Sequence, residues 1–265
     1  MKDPLFIRRS PRFILGVSTL TSLILVGLWT LATLSGWIKP LFLPSPVAVV
    51  RKTQFLFTEG FANSTLWVHT YTSLFRVFSA FALACLTAIP IGIWMGVNDV
   101  VKGVLDPVIE FYRPLPPLAY LPLMIIWLGI GETAKIALIF LAIFAPVCLS
   151  TRAGVKSVAR EKILAASTLG ARPMQIIWHV VIPGALPEIL TGIRVGIGFG
   201  WTTLVAAEMV AATAGLGFMV LNAKDFLATD VVVSGILVIG LIAYGFDVLM
   251  RFLEKWWVPW KGKAS

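Results

Sequence analysis

The sequence predicts an all-α protein that crosses a membrane several times. Of its 265 residues, 58% are hydrophobic and only 13% are charged, and the mean hydropathy is +0.90. Soluble domains contain about 45–50% apolar and about 25% charged residues, so lipid must solvate much of this surface. The apolar runs are continuous and do not alternate with polar residues, which favours helices over a β-barrel.

We predict about six transmembrane helices, each near the ~20 residues that a helix needs to cross the hydrocarbon core. They are placed at 13–35, 68–97, 114–130, 134–150, 189–212 and 231–250. The third and fourth are short and separated only by GIGETAK, so they could be tilted or partly re-entrant. The first run is too long for a signal-peptide core and lacks a small-x-small cleavage pattern.

The distribution of positive charge predicts the orientation of these helices. If the N-terminus is inside, 15 of the 22 Lys and Arg residues fall on cytosolic segments, Arg113 among them, and five fall on outer segments. Cytosolic loops carry such an excess in membrane proteins. Both termini are therefore predicted to be cytoplasmic, and the net charge of +9 reports topology and not nucleic-acid binding.

We divide the chain into three parts. Residues 1–65 form a transmembrane helix and a periplasmic linker, residues 66–252 form the main membrane domain, and residues 253–265 form a cytosolic tail. Within the linker, LPSP is predicted to be extended because residues before proline avoid the helical region. The following VAVVRKTQFLF is predicted to be a helix lying along the membrane surface.

The longest cytosolic loop, residues 151–188, is predicted to contain two short helices. The first covers TRAGVKSVAREKILAASTL and ends at Gly170, because glycine commonly follows a helix C-terminus. The second begins at Pro173, which suits a first helical turn, and is closed by Pro183 and Pro187. Spacing alone leaves two alternatives: an amphipathic loop that caps the bundle, or an exposed apolar surface that docks a partner.

No motif in the chain predicts enzyme chemistry. There is no G-x-x-x-x-G-K-[ST] phosphate-binding loop, and His69 and His179 have no partners at metal-ligand spacing. The two cysteines, Cys85 and Cys148, lie in apolar runs and are interpreted as packing residues. We therefore expect no cofactor or metal in this chain.

The 151–188 loop resembles the EAA loop of ABC-importer permeases, whose pattern is Glu-Ala-Ala, three residues, Gly, nine residues, then apolar-x-apolar-Pro. Here Leu164-Ala165-Ala166, Gly170 and Val180-Val181-Ile182-Pro183 stand at the same spacing. Leu164 replaces the glutamate of the pattern. DPVIEFYRPLPPLAYLPLMIIWLGIGETAKI and PGALPEILTGIRVGIGFGWTTLVAAEM resemble the sulfonate, nitrate and taurine branch of these permeases.

The resemblance implies a type I, MetI-like permease fold in a bacterial inner membrane. It also implies two permease copies, two ABC ATPase subunits that bind the ATP and Mg, and a periplasmic substrate-binding protein. The substrate would be a small sulfonate, taurine foremost, with alkanesulfonates or nitrate- and bicarbonate-type anions as alternatives. The residues expected to couple the permease to the ATPase are Leu164, Ala165, Ala166, Leu169, Gly170, Ala171, Pro173 and Pro183.

Charged residues within the spans are costly and are candidates for function. Arg76 could attract an anionic or zwitterionic sulfonate, but we favour an interhelical ion pair with Glu208 at similar depth. Arg194 is expected to extend to the cytosolic face. The residues assigned to the translocation path or its packing are Arg76, Pro114, Pro116, Pro117, Trp201 and Glu208.

Gly192, Gly196 and Gly200 form a small-xxx-small stripe that allows another helix to approach closely, within the subunit or across a dimer. Two other classes of protein stay open from the sequence. A secondary transporter would usually show inverted repeats and an acidic residue at mid-membrane, and we see neither. A structural subunit of another membrane complex is the second alternative.

Overall fold

The computed structural model describes residues 11–259, and within that range the regular structure is helical. Residues 1–10 and 260–265, with the predicted N-terminal and C-terminal charges they carry, lie outside the described residues. The helices are α1 (Pro11–Leu34), α2 (Pro46–Thr58), α3 (Leu66–Val97), α4 (Asp99–Tyr112), α5 (Leu121–Leu128), α6 (Glu132–Ser157), α7 (Arg160–Thr168), α8 (Pro173–Ile176), α9 (Ile182–Ala211), α10 (Leu216–Asp225) and α11 (Thr229–Trp257).

Five helical segments of the described chain are long and apolar enough to cross a membrane: Phe13–Leu34, Leu66–Val97, Glu132–Ser157, Pro173–Val210 and Thr229–Trp257. The predicted span 114–130 is wrong as a single helix. It contains a 3₁₀ turn, Pro117–Ala119, and the eight-residue α5. Eight helical residues reach about 12 Å, far less than the ~30 Å of hydrocarbon.

The third crossing is instead a broken one, made by the segment that links the end of α3 to the start of α6. Lys156, near the end of α6, lies 3.7 Å from Asp99 at the start of α4. Gly131 then caps the first turn of α6 at the opposite end of the same helix. The α4–α5 segment thus runs the length of α6 in the reverse direction. It is broken because three prolines, Pro114, Pro116 and Pro117, each lack the N–H that a helix needs.

The centre of the bundle is α6, packed between α3 and α9. The stripe Gly192, Gly196 and Gly200 faces α6 within the same subunit, which resolves the alternative left open by the sequence. A Cβ on Gly192 would lie 2.4 Å from the Cβ of Ser150, and one on Gly200 would lie 2.6 Å from Ile143. Glycine at these positions allows the backbones of α6 and α9 to approach closely, which a larger side chain would prevent.

Small and aliphatic residues of the same three helices complete this core. Cys148 is buried there, with its Sγ atom 3.7 Å from Sδ of Met95. Both Cys85 and Cys148 are free thiols.

The linker helix α2, predicted from VAVVRKTQFLF, packs mainly against α11 and less extensively against α1. Ser234 of α11 donates a hydrogen bond to the carbonyl of Val49, and Thr229 donates one to the carbonyl of Leu41. Helix α1 is attached mainly through Trp29, whose indole N–H donates to the carbonyl of Pro44 at 3.0 Å. The rest of α1 exposes its apolar side chains, as a helix surrounded by lipid does.

Candidate coupling knuckle, buried ion-pair network and mid-bundle cavity

The predicted turn at Gly170 is a compact helix end. Gly170 has φ +80°, in the left-handed region that glycine adopts without strain. Its N–H donates to the carbonyl of Ser167, and the N–H of Ala171 donates to the carbonyl of Ala166. This pair of bonds is the Schellman arrangement, which satisfies the last carbonyls of α7. We name residues 160–181, which contain α7, the turn and α8, the knuckle.

The two helices of the knuckle differ from prediction at their boundaries. The first does not start at residue 151, because α6 continues to Ser157 and the chain is extended at Val158 before α7 begins. Pro183 and Pro187 do not close the second helix, which continues into α9 as one segment of 38 residues. A π-helical turn, Ile177–Val181, precedes Pro183, and the N–H of Ile182 donates to the carbonyl of Ile177.

The π turn explains how the helix passes through these prolines. Proline offers no N–H and clashes with the carbonyl four residues earlier, which would kink a regular helix. One wider turn shifts the hydrogen-bond pattern by a residue before the first of them. The knuckle is therefore joined rigidly to the transmembrane part of α9.

The knuckle is held against the bundle by an apolar cluster. Val155 of α6 packs with Val181, Ala185 and Ile189, all of which are buried. Partly buried residues of the knuckle and its flanks pack on this cluster, namely Val158, Ile163 and Ile176. The cluster fixes the knuckle between the ends of α6 and α9, so a force on the knuckle acts on both helices.

The opposite face of the knuckle is exposed and apolar. Leu169 is 88% exposed and Leu164, in the position of the motif glutamate, is 53% exposed. A shallow cleft of about 470 Å³ runs along this face. The residues that line it are Ala166, Leu169, Gly170, Ala171, Gln175, Ile176, His179 and Val180. Ala165 and Pro173 are exposed beside the cleft, and Pro183 lies exposed at the base of α9.

Two large side chains of this face, Met174 and Trp178, are missing from the sequence prediction. They are 63% and 62% exposed. They are four residues apart in MQIIW, which places them on one helical face. This spacing could have identified them from the sequence. Gln175 was also missed; its side-chain oxygen accepts the N–H of Arg172 at the start of α8.

At the other end of the bundle, Arg76 forms the buried ion pair with Glu208 that the sequence predicted. Its Nη1 atom lies 2.7 Å from Oε1 of Glu208 and also donates to the carbonyl of Ala214 at 2.7 Å. Nε and Nη2 donate to the carboxylate of Glu132, with 2.7 Å between Nη2 and Oε1. Because four of the five N–H groups of this buried guanidinium have protein acceptors, Arg76 is engaged in ion pairs and is not placed to attract a substrate.

Glu208 and its neighbours hold the loop between α9 and α10. Ser73 Oγ donates to Glu208, and the N–H of Gly217 donates to Glu208 Oε2 at 2.9 Å. The N–H of Gly215 donates to Nδ1 of His69, so the proton of His69 is on Nε2, which donates to the carbonyl of Phe61. We call His69, Ser73, Arg76, Glu132, Lys135 and Glu208 the Arg76 network.

Four members of the Arg76 network were not predicted. Glu132 and Lys135 lie in GIGETAK, which the sequence prediction treated as a short loop between two spans. Lys135 is 3% exposed and donates to Glu132 at 2.9 Å. The sequence of α3 did indicate part of this network, because His69, Ser73 and Arg76 are spaced by four and three residues and therefore share one face of the helix.

A cavity of about 670 Å³ opens on the side of the bundle near the middle of α6 and α9. The lining includes Pro114, Pro116 and Pro117, which the sequence assigned to the path, together with Pro146 of α6 and Phe199 of α9. Trp201 does not line it. Its ring is buried in the core, with its centroid 5.9 Å from that of Phe246. Arg76 and Glu208 also lie elsewhere, at the end of the bundle.

Charged side chains enter this mid-bundle cavity from α4. Glu110 and Arg113 both line it, with 3.6 Å between Oε2 and Nη1. Arg113 is the residue that follows α4, and its assignment to a cytosolic loop stays a prediction. Arg194, expected to extend to the cytosolic face, has its Nε atom 2.7 Å from Oδ1 of Asp247 of α11.

These features define a class: a multi-pass helical membrane protein with a mid-bundle cavity and an apolar docking surface at one end. The family model for the binding-protein-dependent transport system inner membrane component matches residues 88–259. This chain belongs to that family. It is a permease component, without a catalytic activity of its own, and its location is the inner membrane.

Relatives and a solved structure agree with this assignment. The chain is 55% identical over 95% of its length to the taurine transport system permease protein TauC of Escherichia coli (strain K12), covering 91% of that protein. It is 35% identical over 89% of its length to the putative aliphatic sulfonates transport permease protein SsuC of the same organism, covering 88% of it.

The fold is similar to that of a chain of the MetNI methionine ABC transporter in an inward-facing conformation. The TM-score is 0.63 at 17% identity, over 72% of this chain and 97% of that one. The predicted MetI-like fold is therefore confirmed. As a member of this family, the chain acts with a substrate-binding protein and an ATPase.

Proposed function

We propose that this chain is the permease of an ATP-driven importer that moves taurine into the cytoplasm. The assignment of taurine as substrate rests on the 55% identity of this chain, over nearly its whole length, to a taurine transport permease. The relative named for aliphatic sulfonates is 35% identical and supports the alternative substrates less well.

The ATPase docks on the exposed face of the knuckle. Coupling residues Leu164, Ala165, Ala166, Leu169, Gly170, Ala171, Pro173 and Pro183 lie on this surface or at its base. Exposed apolar patches of this kind mark interaction sites. With Leu164 in place of an acid, the contact is apolar at that position and uses no ion pair.

Movement of the ATPase is transmitted to the membrane through the apolar cluster around Val155 and Val181. Because the knuckle continues without a break into α9, its displacement tilts that helix and, through the cluster, α6. These two helices form one wall of the mid-bundle cavity. ATP-driven motion therefore changes access to the cavity, which we assign as part of the translocation path.

The orientation follows from the same assignment. An ATPase on the knuckle places that end of the bundle in the cytoplasm, with the Arg76 network at the periplasmic end, beneath the binding protein. The broken third crossing preserves six passages through the membrane, so both termini are cytoplasmic. Two copies of the chain assemble with two ATPase subunits, and residues 66–252 form the permease domain of each.

The test is reconstitution of the permease with its ATPase and periplasmic binding protein in liposomes. Taurine uptake that requires ATP and the binding protein is the expected result. Preferential uptake of nitrate or of an alkanesulfonate would overturn the substrate. Uptake driven by an ion gradient in the absence of ATPase would identify a secondary transporter, and the absence of any uptake would favour a structural subunit.

A further inference from the structure

Three charged residues lie on one face of α4, and two of them contact a single arginine of α6. Asp106, Glu110 and Arg113 are spaced by four and three residues, so they share one face of the helix. Asp106 pairs with Arg152 of α6, and these two side chains are 24% and 19% exposed. Glu110 lies 3.9 Å from Arg152 and 3.6 Å from Arg113. This line of charges therefore begins in a largely buried ion pair and ends in the open cavity.

The inner part of this line has a structural role, because Asp106 and Arg152 join α4 to α6. Glu110 and Arg113 differ, since 47% and 57% of their side chains are exposed to the cavity. An ion pair with this exposure contributes little to stability. Charged groups that line a cavity between membrane-spanning helices commonly mark a substrate pathway.

Two further polar groups belong to residues of the cavity wall. The hydroxyl of Tyr112 is buried and has no hydrogen-bond partner among residues 11–259. Pro146, inside α6, has no N–H, so the carbonyl of Ala142 loses its donor in the helix. Tyr112 and Ala142 both line the cavity, and a polar ligand there would give the Tyr112 hydroxyl the partner that it lacks among the described residues.

We propose that Glu110 and Arg113 form a transient binding pair for a zwitterionic aminosulfonate as it passes through the cavity. The guanidinium of Arg113 binds the sulfonate oxygens, and the hydroxyl of Tyr112 donates a further hydrogen bond to them. The carboxylate of Glu110 accepts hydrogen bonds from the ammonium group. This inference rests on the proposed function, because it assumes that the substrate enters this cavity.

The charges of the pair provide a basis for selecting a zwitterion over an anion. Glu110 and Arg113 together are neutral, and a zwitterion can replace their mutual contact with two new ones of the same kind. An anionic sulfonate without the ammonium group contacts Arg113 but leaves Glu110 facing an uncharged end. The exposed 3.6 Å contact is weak, so the substrate can displace it and then leave.

The test compares charge variants of the full complex in liposomes. Arg113→Gln should reduce taurine imported per ATP hydrolysed by about tenfold, the loss expected for a hydrogen-bonded ionic contact. Arg113→Lys should retain part of the activity. Glu110→Gln should reduce import of taurine more than import of an anionic sulfonate that the same binding protein is first shown to load.

Lys224→Gln and Asp225→Asn are the matched controls, because they remove the same charges from an exposed pair on α10, outside the cavity. They should import taurine at the wild-type rate. Wild-type import per ATP in Arg113→Gln, or an equal loss of both sulfonates in Glu110→Gln, would overturn the inference. If Glu110→Gln fails to assemble, Arg113→Gln and Tyr112→Phe decide the question. Failure of the wild-type complex to import taurine would instead reject the proposed function.

Discussion

Arg76 of α3 and Glu208 of α9 form a fully buried ion pair, with 2.7 Å between Nη1 and Oε1. The pair is 132 residues apart in sequence and joins two helices to the loop that follows the second. Two buried charges are tolerated only when each is well paired and hydrogen-bonded. The Arg76 network supplies these bonds, which makes it the structural clamp of this end of the bundle.

The clamp predicts a large loss of stability when one charge is removed. Arg76→Met should lower the free energy of unfolding by about 3–5 kcal/mol, because Glu208 is then left buried without its cation. Unfolding of the purified permease in detergent measures this change. Arg251→Met, which removes a half-exposed cation paired with Asp247, is the control and should lose less than about 1 kcal/mol. Equal losses in the two variants would contradict a clamp.

The turn at Gly170 predicts that different substitutions at this position lower binding-protein-stimulated ATP hydrolysis to different extents. A Cβ there meets nothing within 4 Å among the described residues, so the cost comes from the positive φ and not from a clash. Gly170→Val should strain the turn and lower binding-protein-stimulated ATP hydrolysis. Gly170→Asn should be tolerated better, because asparagine adopts the left-handed region more readily. Membrane insertion should be unchanged in both, and similar ATPase rates would refute a conformational requirement.

The exposed face of the knuckle predicts loss of ATPase association without loss of folding. Leu169→Asp places a charge in an apolar contact and should abolish co-purification of the ATPase. Burying an unpaired carboxylate in such an interface is strongly unfavourable. Leu227→Asp is the control, because Leu227 is 69% exposed on the loop before α11, at the other end of the bundle. Retention of the ATPase by the Leu169 variant would reject the docking surface.

The glycine stripe of α9 predicts that the stability cost of a larger side chain depends on which face of the helix carries it. Gly196→Val should destabilise the bundle by about 1–3 kcal/mol or more, because a Cβ there would lie 2.9 Å from Val147. Gly198→Val is the matched control, since a Cβ at Gly198 meets nothing within 4 Å among the described residues. Melting temperatures in detergent compare the two. The same shift in both would show that helix propensity, and not packing, sets the effect.

The sequence alone determined the helical class, most of the spans, the turn at Gly170 and the family resemblance. Each depends on local properties: long apolar runs need lipid, a glycine after an apolar helix permits positive φ, and the motif spacing is read directly along the chain. The ion pair of Arg76 with Glu208 was also predictable, because two opposite charges at similar depth in apolar spans have few other partners.

Only the tertiary structure decided where the broken crossing runs and what faces the mid-bundle cavity. The prolines after Arg113 obscured the 3₁₀ turn and the short α5 that replace a single long helix there. The continuation of the knuckle into α9 was also hidden, because a π turn accommodates Pro183 by a change in hydrogen bonding that residue propensities do not report. The contacts of Asp106 and Glu110 with Arg152 of α6 join residues that are distant in the chain, so local patterns do not report them.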